Sequence, residues 1–79
     1  MSRKIAVVTG ASAGVGRAVV REFAKQGYDV GLVARGIDGL EGAKRDVEAQ
    51  GRRAVAVRVD VADDRAVEAA AERIEAELG

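Results

Sequence analysis

Short apolar runs alternate with longer amphipathic stretches along this chain. Residues 4–9 (KIAVVT) are an apolar run of strand length that ends on Thr9. Val15, Ala18, Val19 and Phe23 then recur at helical spacing, which predicts a helix from about Val15 to Gln26 with that face inward and Gly27 as its C-terminal cap. Asp29 to Ala34 is a second apolar run without polar alternation, the pattern of a strand covered on both faces of a parallel sheet. Ile37, Leu40, Lys44 and Val47 trace a second helix that stops at Gly51. Gly39 and Gly42 weaken it, each by about 1 kcal/mol relative to Ala. Ala54 to Val59 is the third strand. Asp63 suits the N-cap of a last helix whose inward stripe is Val67, Ala70, Ala71, Ile74 and Leu78.

This βαβαβα succession predicts an α/β fold. Parallel strands joined by right-handed crossovers give a three-stranded sheet of order 3-2-1, with the first two helices on one face and the third on the other. In a complete doubly wound sheet the third helix would feed a fourth strand beside the first. No such strand follows within the 79 residues. The outer edge of the first strand is therefore expected to be unpaired, which invites a homodimer through that edge or a complementary C-terminal half.

The segment between the first strand and first helix, Thr9 to Gly16, reads T-G-A-S-A-G-V-G. Gly10 lets the chain turn off the strand, and Gly14 lets a ligand approach the backbone. Gly16 lets the helix sit close to the sheet. The free N–H groups at the helix start then face an anion, as a dinucleotide pyrophosphate requires. A turn without ligand is the alternative, but a turn alone needs only one of the three glycines.

Charge and composition narrow the chemistry. Lys plus Arg and Asp plus Glu each number 13, and the balanced chain has no basic stripe of the kind nucleic acid selects. No apolar run approaches membrane-spanning length. The chain has neither His nor Cys, which removes Ser-His-Asp triads, thiol chemistry and almost all zinc sites, and favours a cytoplasmic setting. No metal site is expected. The core is rich in Ala and Val, with one Phe, one Tyr and no Trp, so each side chain buries little area.

With its Thr-Gly anchor, T-G-x-x-x-G-x-G after a strand and before a helix resembles the cofactor loop of the short-chain dehydrogenase/reductase family. V-A-R at residues 33–35 and the Asp60-Val61 pair extend the resemblance over essentially the whole chain. It implies one truncated NADP-binding domain over residues 1–79, the N-terminal half of a Rossmann fold. By the same resemblance Thr9, Gly10, Ser12, Ala13, Gly14, Val15 and Gly16 look like the cofactor loop. Ser12 would offer its hydroxyl and N–H to phosphate, whereas Ala13 departs from the basic residue that many NADP-preferring relatives carry. Asp60 looks like the acceptor for the adenine amino group, with the Val61 backbone beside it.

Cofactor choice has a physical handle at the end of the second strand. An acid there binds the ribose 2′-OH of NAD. This chain has Ala34 followed by Arg35, and a guanidinium pairs with a 2′-phosphate where a carboxylate would repel it. NADP is therefore expected over NAD, with Arg17 at the mouth of the first helix adding to the same field. A solvated loop charge is the alternative for Arg35, a surface residue for Arg17 and a loop or cap acid before the last helix for Asp60. Arg58 lies nearer the cofactor edge than Arg52 or Arg53 but reads as an ordinary edge-strand charge. The family's catalytic Tyr is followed four positions on by Lys, whereas Leu32 stands four after Tyr28. No catalytic residue is expected within these 79 residues. The resemblance thus implies an oxidoreductase portion that binds the adenine and pyrophosphate side of the cofactor and does not turn over alone. A self-associating βα module with vestigial nucleotide binding is the other reading.

Overall fold

The middle strand of the sheet, β2 (Asp29–Ala34), is buried at every position, as the apolar run that follows Asp29 requires. It lies between β1 (Ile5–Thr9) and β3 (Ala54–Arg58), parallel to both. Helices α1 (Gly14–Lys25), α2 (Ile37–Ala49) and α3 (Asp64–Leu78) alternate with the strands. This is the expected α/β order. The computed structural model describes residues 4–11, 14–60 and 62–79.

Alternation along β2 sends Val30, Leu32 and Ala34 to one face and Gly31 and Val33 to the other. The first set joins Val8, Val20, Ala24, Leu40, Ala43 and Val47 in a core beneath α1 and α2. On the second face Val33 packs with Val59, Ala70, Ile74 and Leu78 beneath α3. Gly31 is needed there. A Cβ on it would stand 2.7 Å from Cδ1 of Ile74 and closer still to Cγ2, so α3 rests directly on the β2 backbone.

Helix ends are closed by the residues the sequence offers. Gly27 has φ +94°, its N–H donates to the Ala24 carbonyl, and the Tyr28 N–H donates to that of Phe23. This Schellman pattern brings the Tyr28 and Phe23 rings edge to face, with centroids 5.0 Å apart. Gly51 closes α2 in the same way, with φ +74° and the Arg52 N–H donating to the Val47 carbonyl. The Asp63 carboxylate accepts from the N–H groups of Arg65 and Ala66 at the start of α3. Asp29, which the sequence shows only as a strand start, is buried and accepts from the Arg53 N–H at 2.9 Å, tying the starts of β2 and β3.

One expectation about α1 is corrected. The face carrying Val15, Ala18 and Val19 points outward: Val15 is 81% exposed, Val19 37%, and Ala18 is also exposed. The buried line is instead Val20 and Ala24, with Phe23 at its margin. Gly16 sets this choice. A Cβ there would overlap the Gly10 carbonyl oxygen, so α1 approaches at Gly16, and the residues one and two turns further along that stripe follow inward. Among the described residues β1 pairs only with β2, and Val7 on this edge strand is 42% exposed.

Candidate functional site

All three strands run the same way, so their C-terminal ends open on one side of the molecule. Three connections meet there: the loop after β1, the Arg35–Gly36 turn after β2, and the segment after β3. Ligands of open parallel sheets sit in this position.

The β1–α1 connection turns at Gly10, whose φ of +68° is in the left-handed region. Ala11 is fully buried, and its N–H donates to the Val33 carbonyl at 3.3 Å, fastening the loop to β2. Gly14 opens α1 with φ +58°, and none of the described residues beyond its chain neighbours lies within 4 Å of where its Cβ would stand. A group can thus come up to the backbone at Gly14, while Gly16 holds the helix against the Gly10 carbonyl. The first-turn N–H groups of α1, at Gly14, Val15 and Gly16, have no acceptor within the helix and carry its positive dipole end. Thr9 and Gly10 are exposed at the strand end. These features fit an anionic diphosphate. The roles expected for Ser12, Ala13 and Val61 fall on positions outside the described residues.

Beside this loop is an open cleft of about 300 Å³ lined by Arg35, Arg58, Val59 and Asp60. Ala34, the last residue of β2, is buried, and its carbonyl accepts from the Val59 N–H at 2.9 Å. What Ala34 offers the cleft is therefore the lack of a carboxylate, and the first exposed side chain after it is Arg35. Asp60 faces the cleft and also serves its own loop: Oδ1 accepts from the Ala62 N–H at 3.0 Å, and its carbonyl accepts from the Asp63 N–H. Asp60 thus lines the cleft while its carboxylate also holds its own loop.

Two arginines make contacts that their spacing does not show. Arg17 is not among the residues that line the cleft. Its Nε donates to Asp46 Oδ2 at 2.9 Å, and its guanidinium lies over Gly42 of α2, where an added Cβ would fall 2.9–3.1 Å away. Arg21 donates to the same Asp46 oxygen at 3.0 Å. The Arg17 hydrogen bond holds the Asp46 carboxyl below its ordinary value, against an opposing effect of burial, and Arg21 adds to the lowering. Arg58, by contrast, belongs to the cleft, where its Nε donates to the Arg35 carbonyl at 3.1 Å. The signal for it was its place opposite Ala34 in the register, at the strand ends where ligands bind. Tyr28 lies at the opposite end of the sheet, before β2, with its ring on Phe23 and beneath Lys4.

Comparison with known proteins agrees with this geometry. The short chain dehydrogenase family profile matches residues 4–79. Glycine betaine reductase ATRR of Emericella nidulans is 43% identical over 79 residues, which are 100% of this chain and 6% of that protein. The structure of L-sorbose reductase from Gluconobacter frateurii, complexed with NADPH and L-sorbose, is 42% identical with a TM-score of 0.87. That match covers 100% of this chain and 30% of the reductase. NAD⁺-bound xylitol dehydrogenase superposes with a TM-score of 0.89 at 28% identity, over 96% of this chain and 29% of its own. The chain thus spans under a third of the length of each of these proteins. The profile match, the similarity to known reductases and the glycine loop at the sheet's C-terminal edge agree: this chain belongs to the short-chain dehydrogenase family.

Proposed function

We propose that these residues form the adenosine-side cofactor site of an NADP(H)-dependent oxidoreductase, with NADPH preferred over NADH. The observation that carries the reading is the end of β2, where a buried Ala34 gives way to exposed Arg35 at the margin of a cleft. A guanidinium pairs with a 2′-phosphate through parallel hydrogen bonds, and no acid stands at the strand end to hold the 2′-OH instead. The loop Thr9, Gly10, Ser12, Ala13, Gly14, Val15 and Gly16 holds the pyrophosphate through backbone N–H groups and the helix dipole. Asp60 and the Val61 backbone take the adenine amino group. L-sorbose reductase, with its NADPH, supports the choice by similarity, and the NAD⁺ of xylitol dehydrogenase makes Arg35 the deciding feature.

When bound, the cofactor supplies the hydride chemistry, and the chain's own residues bind and orient its adenosine end. No Tyr-x-x-x-Lys pair is present in the sequence, and the one tyrosine lies at the far end of the sheet from the cleft. These 79 residues therefore bind without turning over a substrate. The neutral, cysteine-free composition supports a cytoplasmic setting.

Titration of NADPH and NADH, followed by cofactor fluorescence, tests the proposal. One charge-assisted hydrogen bond contributes about 1.5–3 kcal/mol, so NADPH should bind roughly 10- to 100-fold more tightly than NADH. Arg35→Ala should cut the difference by about tenfold or more. Equal affinities in the unmodified chain, or a preference for NADH, would contradict the reading.

A further inference from the structure

The cleft that holds Arg35 holds a second guanidinium. Arg58 ends β3 opposite Ala34 in the register, so its side chain leaves the sheet beside the Arg35 turn. Its Nε donates to the Arg35 carbonyl at 3.1 Å, and both arginines line the cleft with Val59 and Asp60. Among the described residues Arg58 has no carboxylate partner within salt-bridge distance. With Nε engaged, both terminal nitrogens keep their N–H donors in the fixed plane of the guanidinium. Of the charged groups lining the cleft two are cations and one, Asp60, is an anion whose Oδ1 is held by the Ala62 N–H. The cleft is therefore net positive.

We propose that Arg58 is a second specificity-determining residue for a 2′-phosphorylated adenosine: it fixes the Arg35 turn through Nε and presents its terminal N–H groups to the same phosphate. The inference rests on the NADP(H) reading above and extends it to a residue on another strand. Lysine cannot replace it fully. An ammonium on a flexible stem can meet the carbonyl or the phosphate but has no rigid fork that spans both.

The test measures binding of adenosine 2′,5′-bisphosphate and adenosine 5′-monophosphate by calorimetry. The unmodified chain, Arg35→Ala, Arg58→Ala and Arg58→Lys are compared, and circular dichroism checks that each is folded. The unmodified chain should favour the bisphosphate. Arg58→Ala should cut that preference by about tenfold, the loss of one charge-assisted hydrogen bond, and make bisphosphate binding less salt-dependent. Arg58→Lys should fall between the two. If Arg35→Ala abolishes the preference and Arg58→Ala retains it, Arg58 has no part and only this inference fails. Equal weakening of both ligands by Arg58→Ala would make its role structural and also overturn it. If the unmodified chain shows no preference for the bisphosphate, the NADP(H) reading fails, and the Arg58 assignment with it.

Discussion

Gly16 determines more than its size suggests. A Cβ at this position would overlap the Gly10 carbonyl, so the residue fixes both the depth at which α1 sits and the stripe it buries. We expect Gly16→Ala to destabilise the chain by about 1–3 kcal/mol, the range for forcing extra atoms into a close-packed contact. It should also weaken cofactor binding, because the first-turn N–H groups move with the helix. Urea denaturation with a parallel NADPH titration checks this, and unchanged stability would mean that the loop relaxes around the methyl group. The role of Gly16 in close packing was legible in the sequence, but the face it imposes was not. Val15, Ala18 and Val19 satisfy helical periodicity as well as Val20 and Ala24 do, and periodicity alone carries no information on where a helix touches its sheet. The contacts of Arg17 and Arg58 were not legible for a related reason. Their spacing gives distance along the chain, whereas their partners, Asp46 and the Arg35 carbonyl, lie on other elements.

Between elements, α1 and α2 are joined above the sheet by Asp46, which accepts from both Arg17 and Arg21. The pair of arginines lowers its pKa from the ordinary 3.8, with the Arg17 hydrogen bond the largest cause. A carboxyl whose folded pKa is depressed contributes stability above its unfolded pKa and loses it as pH falls through the folded value. The clamp is therefore complete at neutral pH and fades below about pH 4. Asp46→Asn should cost about 1 kcal/mol at pH 7, the upper range for a solvent-accessible pair. In denaturation series at successive pH values the gap between the two proteins should close on the acid side. A gap that persists unchanged to pH 2 would assign the loss to packing instead. The elements themselves were legible because each is punctuated by its own chemistry: Gly27 and Gly51 at positive φ, Asp63 as a side-chain cap, and the apolar run of β2 that follows Asp29. Gly31 was not, since its need for close contact with Ile74 depends on a helix that follows more than thirty residues later.

At the scale of the whole molecule, the parallel order β1-β2-β3 brings three connections to one edge, and it is this convergence that turns separate motifs into a site. Handedness and apolar patterning were enough to give the order, with two helices on one face and one on the other. The cleft could be foreseen only in part. Arg35 and Asp60 were visible as residues after strands, whereas the participation of Arg58 needed the register that sets it against Ala34. The central claim, that the C-terminal edge of the sheet binds the adenosine side of a dinucleotide, is tested most directly by amide NMR during addition of NADPH. The account predicts shifts in Gly10, Gly14 to Gly16, Arg35 and Asp60, with Gly27, Gly51 and Arg53 at the opposite edge unmoved. Shifts at the opposite edge, or none at saturating cofactor, would contradict it.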